Sequence, residues 1–415
     1  MDGGPARRVG TGTNQEDVRR HNLGTLLRHV HRSGHPSRAE LTSLMALNRS
    51  TIAALVAELE SLGITEQAQR PSKKRQGAGR PSAGVRPSPT SPYVIAVDLG
   101  VDRVVVARVG LGGVVHQRVS APMLEGPGID NVGRTVGRLV GIVVEDVPSS
   151  VPLVGIGVSV PGLVRRADGL VRIAPNLGWR EVPFASIVED VLRLQVPVSI
   201  GNDGDLGALA EHERGAGVGL ADLIYVSGSV GVGAGVITGG MRMEGAGGYA
   251  GEIGHLPYDP LGAMCHCGNR GCWETEVGAI AIARALDLPV ERVSSLGDVL
   301  DGFTEPTPAL REIGRHLGRG LASAVNLLNP QLIVLGGYLG SLYPLVQEDV
   351  LASLHERALG APSELVTLSL PGLGTDSVLL GAAEIAFDAL FVDPVASLST
   401  AKLDVRRLLL AQRVG

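Results

Sequence analysis

The sequence predicts an α/β protein in two parts: a small helical module at the N-terminus and a duplicated, two-lobed body behind it. Three observations carry this. First, charge divides the chain: residues 1–92 hold 14 Lys and Arg against 7 Asp and Glu, a net of +7, whereas the remainder is net −12. Second, the stretch from Arg70 to Pro92 is rich in Pro, Gly, Ser and basic residues and has no apolar period, so it is expected to be a linker or extended arm. Third, two apolar strand patterns in the body each run into a Gly-containing turn and a hairpin partner. A length of 415 residues agrees with two or three domains.

Composition narrows the class. With 44% hydrophobic and 19% charged residues the chain is globular. Glycine is in excess, 58 of 415 residues, which implies many tight turns or close approach of backbone to a ligand. Aromatics make up only 3%, which argues against stacking platforms for single-stranded nucleic acid. No apolar run reaches membrane-spanning length, and no apolar segment follows Arg7 and Arg8, so a cytoplasmic protein without a membrane partner is expected.

The basic front end reads as follows. Leu23, Leu26, Leu27 and Val30 recur at helical spacing between Asp17 and Arg32, and Gly34 with Pro36 ends the run. Ser37-Arg-Ala-Glu40 is a capping-box pattern opening a second helix, with Leu41, Leu44 and Met45 expected inward. After a turn of four residues, Asn48-Arg-Ser-Thr51 opens a third helix with Ile52, Leu55, Val56, Leu59 and Leu62 on one face. Three helices with these turns match a helix-turn-helix, and Ile64 to Ala68 suggests a winged variant. A winged helix-turn-helix over residues 1–69 is therefore expected to bind operator double-stranded DNA. Arg49, Ser50, Thr51 and Ala54 lie where a reading helix meets base edges; Arg suits guanine, and Thr and Ala suit a thymine methyl. Arg80, in Gly79-Arg80-Pro81 of the arm over 70–92, is expected to reach the minor groove or its phosphates. The bland alternative is a small amphipathic helical domain in which Ser50 and Thr51 only cap a helix.

The remaining chain, 93–415, carries two signals. His255, Cys265, Cys267 and Cys272 place one imidazole and three thiolates within eighteen residues, and the chain has no other Cys. That set fits a closed tetrahedral zinc site, structural rather than catalytic because no position stays open. Three free buried thiols would not explain the clustering. Separately, Tyr93 to Gly100 followed by Val104 to Val109, and Leu223 to Gly235, each open a three-stranded meander, which suggests a duplicated fold with a cleft between lobes.

With these residues in place, the chain resembles the ROK family (repressor, open reading frame, kinase), in its transcription-factor branch. The resemblance spans residues 17–393. It rests on Ala174-Pro-Asn-Leu-Gly-Trp179, Asn202-Asp203, Gly251-Glu-Ile-Gly-His255, the run Cys265 to Glu274, and Leu332 to Gly337. It implies an actin-like ATPase (sugar-kinase) fold, a homodimer or homotetramer, and a sugar or sugar-phosphate effector between the lobes. It also implies that Asn202 and Asp203 sit at the sugar, Asp203 at the position of the kinase general base. Glu252 and Glu274 then match sugar-hydroxyl acceptors, Asn176 approaches the sugar, and His255 both anchors the zinc and lies beside the sugar.

The nucleotide half departs from the family pattern. The first phosphate loop of kinase members reads Asp-x-Gly-Gly-Thr-Lys; here it is Asp98-Leu-Gly100-Val101-Asp102-Arg103. The second should read Gly-Thr-Gly; here it is Ser229-Val230-Gly231. Lost hydroxyls and an added carboxylate disfavour polyphosphate. The expected function is a sugar-responsive DNA-binding regulator, a repressor, without kinase activity and with Asp203 as a vestigial base; the alternative is a bifunctional regulator that still phosphorylates sugar.

Overall fold

The computed structural model describes residues 14–68, 84–123 and 128–400. The N-terminal module opens with α1 (Gln15–Ser33), whose Asn14 cap accepts a hydrogen bond from the Asp17 N–H. Leu23, Leu26, Leu27 and Val30 are buried along one stripe. Helix α2 (Arg38–Met45) has a complete capping box: Ser37 Oγ accepts from the Glu40 N–H, and Glu40 accepts from the Ser37 N–H. Leu44, expected inward, is 55% exposed. The packing face of this two-turn helix is one buried side chain wide, Leu41, and Leu44 falls outside it. Residues 46–48 make a three-residue turn, shorter than the four expected, with Ala46 left-handed at φ 51°. Helix α3 (Arg49–Ser61) buries Ile52, Leu55, Val56 and Leu59.

A wing follows. Strand β1 (Thr65–Ala68) pairs antiparallel with β2 (Gly84–Pro87), Ala68 opposite Gly84. This corrects part of the linker expected over 70–92: Gly84–Pro87 is the return strand of the wing. Its Val85 is fully buried and donates its N–H to the Pro36 carbonyl. One β-branched residue among Pro, Gly and Ser was too little pattern to show a strand in sequence. Residues 69–83, Arg80 among them, lie outside the described residues.

Lobe one begins with the antiparallel meander β3 (Tyr93–Leu99), β4 (Arg103–Gly110) and β5 (Val114–Pro122). Helix α4 (Ile129–Val144) crosses to β6 (Leu153–Val160), which lies parallel to β3. A small sheet of β7 (Leu163–Arg165), β8 (Leu170–Ala174) and β9 (Trp179–Val182) follows, then α5 (Phe184–Leu192) and β10 (Val198–Asn202), parallel to β6. The order is β10-β6-β3-β4-β5. All eight residues of β6 are buried, as befits a parallel strand covered on both faces.

Helix α6 (Asp203–Arg214) then leads to lobe two. Its meander is β11 (Leu223–Gly228), β12 (Val232–Thr238) and β13 (Met241–Arg242). The helices α7 (Glu274–Val277), α8 (Ala279–Ala285), α9 (Leu296–Leu300) and α10 (Pro308–Leu328) precede β14 (Leu332–Gly337), which is parallel to β11. Helix α11 (Tyr338–Arg357) kinks at Val346, two residues past Pro344, where proline breaks the backbone ladder. Helix α12 (Gly360–Leu365) leads to β15 (Thr367–Ser369), parallel to β14. The order β13-β12-β11-β14-β15 repeats the plan of lobe one, a meander flanked by two parallel strands. This is the duplicated actin-like ATPase (sugar-kinase) fold, preceded by a winged helix-turn-helix.

Helix α13 (Ser377–Ala386) returns to lobe one and packs on α6, β3 and β6. It lies against β6 because Gly155 and Gly157 present no side chain: a Cβ on either would collide with the carbonyl of Ala386 or Ala382. The last described helices, α14 (Asp388–Val392) and α15 (Pro394–Thr400), seat α1.

Candidate functional site

A cavity of about 360 Å³ opens between the two lobes, within the range of small-molecule sites. Asn176, Asn202, Asp203, Glu252, His255 and Glu274, the six residues singled out in the sequence, all line it. They come from four separate elements. Asn176 sits in a single 3-10 turn after β8, held by the buried Leu177 and Trp179. Asn202 and Asp203 form the junction of β10 and α6. Glu252 and His255 flank a 3-10 turn at Ile253, and Glu274 opens α7.

Asn202 does two jobs. It caps α6, its Oδ1 accepting from the N–H groups of Gly204 (2.8 Å) and Asp205 (3.2 Å). Its Nδ2 donates to the Gly162 carbonyl at 3.0 Å, so one amide hydrogen remains for the cavity. Asp203 Oδ1 accepts from the Gly204 N–H at 3.0 Å. Burial, with the Asp98 charge adding, pushes the Asp203 carboxyl up to about 6. Burial also raises Asp205 to about 7, Asp203 adding and Arg242 opposing. Glu252 rises to about 7, through burial first and then the charges of Asp203, Asp205 and Glu274. Near neutral pH Asp203 and Glu252, which line the cavity, exchange protons readily, so each can donate or accept toward a hydroxyl.

The wall beside them is the cysteine cluster. One ligand atom from each of His255, Cys265, Cys267 and Cys272 lies within 4.8 Å of all the others. His255 Nδ1 is 3.6 Å from Cys265 Sγ, and Cys267 Sγ is 3.6 Å from Cys272 Sγ. A tetrahedral zinc with N and S ligands has ligand separations of about 3.3–3.8 Å; these two pairs lie in that range, and one imidazole with three thiols is the donor chemistry that suits that ion. Gly271 lets the loop close: at φ 68° it lies so near Asp259 that a Cβ would collide with its carbonyl. Trp273 anchors the loop to α10. It is 1% exposed and donates Nε1–H to the His316 carbonyl at 3.0 Å.

Glu274 joins cluster and cavity. Its Oε2 accepts from the Val232 N–H at 2.9 Å, and its Oε1 lies 3.5 Å from Cys265 Sγ. The turn at Ser229 to Gly231 lines the cavity, whereas residues 100–103 do not. There the Gly100 N–H donates to the Arg103 carbonyl and closes a tight hairpin. Sequence reasoning missed two contributors: the Gly162 carbonyl that orients Asn202, and Arg284, an exposed cation of α8 on the cavity wall. Neither carries a motif; their places depend on how distant segments meet.

A second surface lies on the N-terminal module. Arg49, Ser50 and Ala54 are exposed on α3, and Thr51 is half-buried. Asn48 caps the helix through the Thr51 N–H at 2.8 Å and takes the Ser50 hydroxyl at 2.7 Å. Both thus take part in the cap, Ser50 through its hydroxyl and Thr51 through its backbone, while remaining on the outer surface. Ala53 and Ala57, which the sequence reading did not single out, are also exposed. With Ser50 and Ala54 they give α3 an outer face of small side chains, open to close approach by a partner.

Comparison with known proteins agrees with this geometry. The ROK family model matches residues 94–389. The xylose repressor of Bacillus spizizenii is 30% identical over 389 residues, covering 88% of this chain and 96% of that protein. Among solved structures, a ROK family transcriptional regulator described as a homologue of the Escherichia coli Mlc protein superposes with a TM-score of 0.72 at 23% identity, over 95% of this chain and all of its own. A ROK family glucokinase from Streptomyces griseus, in complex with glucose and AMPPNP, gives 0.61 at 26% identity over 71% of this chain and 99% of its own. Helix-turn-helix, wing, duplicated lobes and His-Cys cluster thus occur together in a chain that belongs to the ROK family.

Proposed function

We propose that this chain is a sugar-responsive transcriptional repressor: the winged module binds operator DNA, and the cavity binds a sugar or sugar phosphate that changes the affinity for that DNA. The observation that carries the reading is one chain holding both an exposed α3 face on a winged module and an inter-lobe cavity into which carboxyl, amide and imidazole side chains converge. The xylose repressor similarity extends over both parts. Asn176, Asn202, Asp203, Glu252, His255 and Glu274 serve as the hydroxyl-reading set. Arg49, Ser50, Thr51 and Ala54 meet bases, and Arg80 meets the minor groove or backbone. A homodimer or homotetramer would present two reading helices to an inverted repeat.

Structural zinc on His255, Cys265, Cys267 and Cys272 completes the site. Bound there, the ion would neutralise thiolates and hold one wall of the cavity rigid. Within this chain, the His255 ring, the Glu274 carboxylate and the Trp273 indole keep that wall facing the ligand.

Kinase activity is absent in this reading. Asp102 in the first phosphate loop and Val230 in the second stand where the family pattern has a hydroxyl, one bringing a negative charge, and Val101 and Ser229 add bulk where it has glycine. One observation favours the other reading, a regulator that still phosphorylates sugar: Asp203, at about 6, is suited to act as a base near neutral pH. One experiment separates the two. The purified protein is titrated with a DNA duplex it has itself enriched from a random pool, with and without each of a panel of monosaccharides, and ATP turnover is followed in parallel. A sugar-dependent shift in DNA affinity without turnover supports the repressor; sugar-dependent turnover refutes the sensor-only reading.

A further inference from the structure

Helix α6 keeps different company at its two ends. Its N-terminus carries Asn202 and Asp203 into the cavity. Its last residue, Arg214, donates through Nε to Glu384 Oε1 at 2.5 Å and through Nη1 to the His31 carbonyl at 3.1 Å. His31 belongs to the last turn of α1 in the DNA module and is 1% exposed. Its Nε2 lies 3.1 Å from both Glu384 carboxylate oxygens. Its Nδ1 accepts the Gly112 N–H at 3.0 Å, so Nε2 carries the proton and donates it to Glu384. Beside this joint, Arg32 of α1 pairs with Glu213 of α6.

The parts on either side of the joint are stiff. Gly381 of α13 lies against the Leu206 carbonyl of α6, and Gly24 of α1 lies against the Phe391 carbonyl of α14, each too close for a Cβ. The Arg28 guanidinium sits 4.8 Å over the Phe391 ring. Only residues 88–92 connect wing to body. Twelve residues of α6 span about 18 Å, a rod between the cavity and the module.

A buried ion pair is weak support for stability, because desolvation offsets much of its attraction; specifying one arrangement is its better-attested use. Arg214 and Glu384 are 10% and 8% exposed. A rotation of α6 that kept these charges paired would have to carry α13 with it, and α1 too if the His31 carbonyl and Nε2 kept their hydrogen bonds to Arg214 and Glu384.

We propose that the Arg214–Glu384–His31 contact is the joint through which α6 passes occupancy of the cavity to the DNA-reading module. The proposal rests on the sugar-sensing reading above and adds the residues that perform the coupling. They are positioning residues: none lies on α3 or lines the cavity. Sugar biases the lobe arrangement only as far as it binds one arrangement better. The joint converts that bias into a displacement of α1 and, through the module core, of α3.

The test uses the full-length protein, a duplex it has enriched from a random pool, and D-xylose and D-glucose as probes. Wild type should change its duplex affinity about tenfold with the effective sugar. Arg214→Met and Glu384→Gln should keep sugar binding and sugar-free duplex affinity within about twofold, and shrink the sugar-dependent change below about threefold. Arg214→Lys, which retains the charge, should recover part of it. Because either variant could fail to fold, hydrogen exchange on wild type provides a second measure: sugar should alter protection in the last turn of α1 and in α13. An undiminished sugar shift in both variants, or unchanged exchange at α1, overturns the joint while leaving the sensor reading standing. Wild type that binds sugar with no change in duplex affinity overturns both.

Discussion

Glu274 places Oε1 3.5 Å from the Cys265 sulfur while its other oxygen takes the Val232 N–H, so a residue of the cavity is held against a residue of the His-Cys cluster proposed to hold zinc. Metal loss should therefore be felt in the cavity. Chelation, or Cys267→Ser, is expected to lower both the melting temperature and sugar affinity, the latter by about tenfold or more. Elemental analysis should find about one zinc per chain in the untreated protein. Full sugar affinity in a zinc-free sample would separate the two features.

The carboxyl pair at the start of α6 should make ligand-free stability fall with rising pH. Asp205 moves from 3.8 to about 7 on folding and Asp203 from 3.8 to about 6. Between those values the folded chain holds more protons than the unfolded chain, so stability declines as pH rises through the window. Asp205→Asn removes one contribution. Its melting temperature should match wild type near pH 4, exceed it increasingly up to about pH 7, and hold a constant gain above that. A gain confined to the acid side would contradict this assignment.

Cavity variants should separate sensing from DNA binding. Asp203→Asn should weaken sugar binding, because the amide cannot ionise and replaces a charged two-oxygen acceptor with a neutral group bearing one acceptor oxygen. Calorimetry should show a loss of about tenfold, near 1.4 kcal/mol. Sugar-free DNA affinity, read by fluorescence anisotropy, should stay within about twofold, since Asp203 lies at the far end of α6 from the module.

The open face of α3 should be intolerant of bulk and charge. Arg49→Ala should cost about 1–3 kcal/mol of specific DNA binding if the side chain takes a base through two hydrogen bonds. Ala53→Glu should abolish specific binding while leaving the melting temperature nearly unchanged, because Ala53 is exposed. Specific binding that survives Ala53→Glu would mean that another surface reads DNA.

Much of this molecule was legible in its sequence where the physics is local. The Ser37–Glu40 capping box, the apolar stripes of α1 and α3, the meander at Tyr93 and the His-Cys cluster each follow from residues within a few turns or one loop. Sequence alone therefore determined the helix-turn-helix, the duplicated lobes and which His and Cys residues cluster. Other features were decided only when distant segments met. Val85 becomes a buried strand residue because Pro36 offers it a carbonyl and β1 a partner edge. Leu44 stays exposed because α2 turns Leu41 and part of Met45 to the core and leaves Leu44 outside that stripe. Asn176 and Glu274, nearly a hundred residues apart, share a cavity because the lobes close on each other. His31, Arg214 and Glu384 come from three regions with no common motif, and burial makes their charges depend on one another. Local propensity and spacing are written in neighbouring residues; desolvation and charge pairing depend on what the rest of the chain brings alongside.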